Sequence, residues 1–206
     1  MISFDTIVKG FPDKKDYPNT TSLKFKKDLY NYFFDSKFRD VKALEIGSHR
    51  GHTTKVMSYL FKEVITMNIN PKGDDWIPMG NENIKYIVND AYNGLPWHTS
   101  VSNDVLDDYF YDIEVIYVDA LRGYENVKMD LAHALQLQPR NKKRYIIIED
   151  YGNVKFDGVK HAVDEVCWWG HMEIVKGIGY PAGTEHGTMK YNDWEAVICQ
   201  TKNEIR

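Results

Sequence analysis

The stretch ALEIGSHRGHTT, residues 43–54, decides how the rest of the chain is read. A short apolar run, interrupted once by Glu45, leads into Gly47, and Gly51 follows four residues later, ahead of Thr53 and Thr54. This is the pattern of a buried strand that turns sharply and enters a helix. A dinucleotide fingerprint would need G-x-G-x-x-G, but His49 fills the middle position here. A P-loop would need Gly-Lys-Ser/Thr, which is absent. A carboxylate at Glu45 would also repel a pyrophosphate. It suits a ligand that is cationic or rich in hydroxyls.

Strand and helix patterns alternate outward from this loop. VKALEIG, EVITMNI, NIKYIVND, IEVIYVDA and RYIIIED read as five successive strands. Between them lie helical faces: Val56, Met57, Leu60 and Phe61; Val127, Leu131, Ala134 and Leu135; then Val159, Ala162, Val163 and Val166 after the fifth strand. Strands apolar along their length and separated by amphipathic helices predict a parallel sheet in an α/β sandwich. MEIVKGI and WEAVICQ close the pattern with no helix between them, so they are expected to pair antiparallel, giving one reversed strand near the C-terminus. Residues 1–40 read as a polar arm with Pro12 and Pro18 and a helix capped by Thr21 or Ser22, either a substrate lid or a packing helix; residues 41–206 read as the main part of one globular domain. The polar excursion at residues 184–193 is expected to reach over the site. Of Trp168 and Trp169, one is expected to pack inward and the other to line a pocket.

Composition narrows the function. The chain has 206 residues, 43 % of them hydrophobic, enough for one real core, and a net charge of −4 that argues against a partner reached through nucleic-acid backbone. Cys167 and Cys199 have no metal-type spacing and read as small buried hydrophobes. No apolar run approaches the ~18 residues of a membrane span, and no secretory leader pattern opens the sequence, so a cytoplasmic location is expected.

E-x-G-x-x-x-G after a first strand resembles the first motif of class I S-adenosylmethionine-dependent methyltransferases. The resemblance implies a Rossmann-like, mostly parallel seven-stranded sheet. It also implies a cofactor held by Glu45, Gly47, Ser48 and Gly51, with Asn68 at the ribose, where the family usually has a carboxylate. Asp90 and Ala91 would meet the adenine, though Asp90 also fits a helix N-cap.

The strand ends carry a second signal. Asp119 ends the fourth strand, and Glu149 and Asp150 end the fifth, so a parallel sheet brings all three to one edge. Three such carboxylates repel one another and need a counterion; a hard cation such as Mg²⁺ favours oxygen ligands of this kind, and an ion pair with Arg122 is the alternative. The segment from residue 119 to residue 131 resembles the D-x-x-H-x-Y-E-x-V-x-x-D-L run of metal-dependent sugar-type O-methyltransferases, matched at Asp119, Tyr124, Glu125, Val127, Asp130 and Leu131. Arg122 stands where that group often has a histidine base, and arginine cannot take a proton near neutral pH. Metal acidification of the hydroxyl, a substitute base among His49, His52 and His161, or loss of catalysis remain open, and Arg122 could instead grip an anionic acceptor. The resemblance implies methyl transfer to a small hydroxylated acceptor such as a sugar or glycoconjugate, with Asp119 and Arg122 in the catalytic site and Asp119, Glu149 and Asp150 as metal ligands. A module that binds a nucleoside or a partner without turnover is the other reading.

Overall fold

β1 (Lys42–Ile46) forms because its residues are apolar on both faces of the strand. Leu44 and Ile46 point to one side, where they join Ile65 and Met67 of β2 (Glu63–Asn68). Ala43 points to the other side and meets Val64 and Val115. The remaining strands of the sheet are β3 (Ile84–Val88), β4 (Ile113–Val118), β5 (Tyr145–Glu149), β6 (Met172–Ile178) and β9 (Ala196–Thr201). The computed structural model describes residues 2–70, 76–77, 80–88, 112–137 and 143–202.

The described strands make a seven-stranded sheet in the order β3-β2-β1-β4-β5-β9-β6. β1 to β5 pair in parallel, while β9 runs antiparallel to both β5 and β6. The reversed strand expected from the missing crossover is therefore β9. In its place a two-stranded hairpin, β7 (Glu185–His186) and β8 (Met189–Lys190), connects β6 to β9.

Helices cover both faces. α4 (Tyr124–Gln136) and α5 (Asp157–Trp168) pack Val127, Leu131, Val159 and Val163 on the Leu44 side. α2 (Leu23–Phe33) and α3 (His52–Ser58) cover the Ala43 side, with the short α1 (Phe4–Ile7) beyond them. Ser22 caps α2, accepting a hydrogen bond from the Phe25 amide. Phe25, Leu29 and Phe33 of α2 are fully buried. At about 2 kcal/mol for each such side chain, that burial makes α2 a packing helix rather than a lid.

Arg144 joins the layers on the α4 side. Its guanidinium is buried and donates to the carbonyls of Ile113 (2.8 Å), Ala134 (2.6 Å) and Leu137. It thus satisfies carbonyls that the end of α4 would leave orphaned. Burial lowers its pKa to about 10. The tryptophan pair meets half of the expectation. Trp168 is 83 % exposed and Trp169 47 %, so neither enters the core. Trp169 does line a pocket, with Lys128, Ala132, Leu135, Val166 and His171, and its ring lies beneath the Lys128 ammonium, 4.8 Å from the ring centre. No helix among the described residues is long and apolar enough to cross a membrane.

Candidate active site

Five parallel strands present their carboxyl ends on one edge, the edge at which α/β sheets bind ligands. The loop after β1 opens it. Gly47 has φ +89°, and a Cβ there would overlap the carbonyl of Asp119 at the end of β4. Glycine is required at this position chiefly so that two strand ends can approach each other. Gly51, at φ +79°, sets the left-handed turn into α3. Between these glycines His49 also takes a positive φ of 44°, with its ring stacked on Tyr17.

A cavity of about 290 Å³ sits against this loop, lined by Gly47, His49, Asn68, Asn70, Asp119 and Leu121 among others. This is at the small end of ligand sites. Asp90 and Ala91, the expected adenine contacts, lie outside the described residues. A second, polar crevice runs between the loop and the arm, where Asn19, Thr20 and Thr21 face Glu45, Ser48 and Asp119. The Ser48 hydroxyl is buried there with no hydrogen-bond partner among the described residues.

Glu45 projects beneath the loop. The parallel register sets Thr66 beside it, and α3 supplies Thr54; both hydroxyls donate to its Oε2, Thr66 at 2.6 Å. Among the described residues no cation pairs with it. Burial outweighs the two hydrogen bonds and pushes its carboxyl up to about 7.

The carboxylates at the other end of the edge do converge as the sequence predicts. Asp119, Glu149 and Asp150 all contact Arg122: its Nη2 lies 3.0 Å from Asp119 and 3.4 Å from Glu149, and its Nε donates to Asp150. Asp150 adopts a left-handed backbone, φ 57°, which turns the chain directly after β5. Two further residues were not foreseen. Lys14, from the arm, places its ammonium 3.1 Å from Glu149, 3.1 Å from Asp150 and 3.7 Å from Glu195. Glu195 reaches the same edge because β9 is reversed, so its beginning, not its end, lies beside the end of β5. Ser22 anchors it with its hydroxyl at 2.5 Å and its amide at 3.0 Å.

These ion pairs correct the metal expectation. The oxygens of Glu149 and Asp150 are taken by Lys14 and Arg122, and Asp119 is held by Arg122, so the expected Mg²⁺ ligands do not fit as a coordination shell. No group of three or more such side chains among the described residues is arranged to hold a metal ion. Burial works against the charge on Glu149, but Lys14, the hydrogen bond from Asp119 and Arg122 hold its carboxyl well below the usual range. Burial and the Glu149 charge raise Asp119 well above it. Burial opposes the Lys14 charge too, yet its three carboxylates raise its pKa well above the ordinary value.

The other candidates sort as follows. His49 lines the cavity; His52 is buried, edge-on to Phe11 at 4.9 Å; His161 is exposed on α5. Tyr124 donates its hydroxyl to Glu165 of α5, so it braces α4 against α5 rather than facing the cavity. Asp130 is fully buried within α4. The excursion at 184–193 packs on the arm: His186 pairs with Asp13 at 3.3 Å, and Tyr191 bridges to Asn153.

No family model matches the sequence, and no curated protein does. Solved structures match it over nearly the whole chain. A precorrin-6y C5,15-methyltransferase from Geobacter metallireducens is 15 % identical, covers 90 % of this chain and 92 % of its own, and gives a TM-score of 0.60. The fold is that of the class I methyltransferases. The N-methyltransferase NodS from Bradyrhizobium japonicum, solved with S-adenosyl-L-homocysteine, is 10 % identical with 97 % of each chain covered and a TM-score of 0.58. A TDP-rhamnose 3'-O-methyltransferase of calicheamicin biosynthesis is 13 % identical, covers 86 % of this chain and 76 % of its own, and gives 0.52. At these identities the likeness concerns the fold alone.

Proposed function

We propose that the chain is an S-adenosylmethionine-dependent methyltransferase acting on a hydroxyl of a small acceptor such as a sugar or glycoconjugate. The observation that carries this reading is the cavity at the ends of β1, β2 and β4, bounded by Gly47, Asn68 and Asp119, in a class I methyltransferase fold. Bound there, S-adenosylmethionine would supply an electrophilic methyl group on a sulfonium. The residues present fit it. Asn68 offers a donor and an acceptor to the ribose hydroxyls, the unpartnered Ser48 hydroxyl and the Gly47–Gly51 backbone suit the amino-acid part, and Glu45 lies where a cationic ligand would balance its charge.

Asp119 faces both the cavity and the crevice. It is the group that would take the acceptor proton as the hydroxyl oxygen meets the methyl carbon, the role that Arg122 cannot fill. Its raised pKa makes the carboxylate, the form that accepts a proton, a stronger base than an exposed aspartate but one present only once Asp119 has ionised, so transfer is expected to rise with pH. Arg122 orients Asp119 at 3.0 Å. Because the transfer requires in-line placement above all, positioning carries much of the rate. A second reading, a nucleoside-binding module without turnover, is favoured by one observation: the arm's Lys14 fills the carboxylate cluster on the acceptor side of Asp119.

The deciding experiment is calorimetric titration of S-adenosylmethionine into the full chain in two buffers of different ionisation enthalpy at pH 7. Saturable binding with proton release, which Glu45→Gln abolishes, supports the cofactor reading. Absence of binding in both buffers rejects it. Binding without methyl transfer to any of a panel of sugars and phenols leaves the module reading standing.

A further inference from the structure

Four carboxylates, Asp119, Glu149, Asp150 and Glu195, meet two cations at the β4–β5–β9 end of the edge. Arg122 serves Asp119, Glu149 and Asp150 from a partly exposed position, whereas Lys14 is 2 % exposed and its three carboxylate partners are 3 % exposed or less. An ammonium so deep, without those partners, would be strongly disfavoured. The carboxylates without the ammonium would be equally so. Each side therefore explains the burial of the other.

The arm that delivers Lys14 is fixed on either side of it. Asp13 accepts the amides of Lys14 (2.8 Å) and Leu23 (3.1 Å) and pairs with His186. Further along, Ser22 holds Glu195 through two hydrogen bonds, and Thr20 and Thr21 accept from the buried Lys26. Between these anchors the chain crosses the glycine loop, where Tyr17 lies against His49 and Asn19 to Thr21 roof the crevice over Glu45 and Ser48.

We infer that Lys14 is the built-in cation of this site: its ammonium stands where three convergent carboxylates would otherwise demand an external cation, and in doing so it straps residues 14–22 across the cofactor loop. Lys14 is a positioning residue. It aligns Glu149, and through Glu149 and Arg122 it orients Asp119. This deepens the methyltransferase reading by making the site independent of a divalent ion, and it rests on that reading only for naming the acceptor side. Its test reads cation binding and arm protection, not turnover, so the two can fail separately.

The experiment uses the full chain, as wild type, Lys14→Ala, Lys14→Met and Lys14→Arg, in thermal unfolding with millimolar Mg²⁺ or Mn²⁺ and then with EDTA. Wild type and Lys14→Arg are expected to ignore both additions, because a fixed charge occupies the cluster. Lys14→Ala should melt lower and recover by about 5 °C on saturation with the divalent ion, reversibly with EDTA, because three carboxylates then face space an ion can enter. In parallel, tryptic cleavage after Lys15 should run at least tenfold faster in Lys14→Ala and Lys14→Met, and the metal should not restore protection, since it cannot hold the arm. An EDTA-reversible stabilisation of the wild type overturns the inference. So does a folded Lys14→Ala that ignores divalent ions, or arm cleavage unchanged by the substitutions. If neither neutral variant folds, the wild-type titration decides alone: no response supports the inference, and a response sinks it.

Discussion

The two ends of the sheet's carboxyl edge bury their acids in opposite ways. Beneath the β1 loop, Glu45 is surrounded by hydroxyls, and its carboxyl is pushed up to about 7. Beyond β4, Glu149 is buried as deeply, but Lys14, Asp119 and Arg122 hold it well below the usual range. Depth alone therefore does not set protonation: the cations beside Glu149 lower it, whereas burial and the Glu149 charge raise Asp119 at the same end. The first end has an acid with no cation partner among the described residues, at the crevice between the loop and the arm. The second has its cations already, brought by the chain itself.

Substitution at the hinge between the two ends should have the largest effect. Gly47→Ala combines a disfavoured backbone with overlap on the Asp119 carbonyl. A loss of about 3 kcal/mol or more in urea unfolding is expected; a loss under 1 kcal/mol would show that the two strand ends part easily.

The acidity of Glu45 comes next, because it defines the first end. A carboxyl whose folded pKa is about 7 and unfolded value 4.5 holds its proton longer in the native state. Stability from this group is thus full below pH 4.5, falls as pH rises to 7, and is level above, a change on the order of 3 kcal/mol. Glu45→Gln should remove that fall, so its advantage over wild type in denaturant titrations should grow from pH 5 to pH 8. A flat difference would mean that the two ends do not differ in charge.

Arg122→Met probes the second end. Its side chain is 36 % exposed, so solvent screening discounts the ion pairs. A loss of about 2 kcal/mol is expected at pH 7. It should shrink as pH falls through the raised pKa of Asp119, above the usual carboxylate range, which unfolding along that titration would read. Smallest is Asn68→Ala, which should weaken S-adenosylmethionine by about tenfold in calorimetry through one lost pair of hydrogen bonds, and leave the melting temperature of the free chain within a degree or two.

Most of the fold was legible because it is written in local patterns. Apolar runs marked the strands, helical spacing marked α4 and α5, and the missing crossover marked the reversal of β9. The meeting of Asp119, Glu149 and Asp150 followed from parallel strands sharing an edge. Glu195 was readable by the same logic, since a reversed strand brings its first residues to that edge. Lys14 was not. It lies in a proline-broken arm with no periodicity, and its partner Glu149 is 135 residues away. A count of four acids against one arginine called for a second cation; nothing local said which of the chain's lysines it would be. The metal expectation went wrong at this step, because the carboxylates were legible and their neutraliser was tertiary.

The reversal of β9 has a consequence for the order in which the protein can be made. Ser22 binds Glu195 across 173 residues, and Lys14 needs the same residue for its third partner. On a ribosome the arm emerges long before β9, yet its docking place is finished only when β9 has left the exit tunnel and slotted between β5 and β6. Until then Lys14 and the acids of β5 have no completed socket. Closure of the site therefore waits until Glu195 and the strand that follows it are in place.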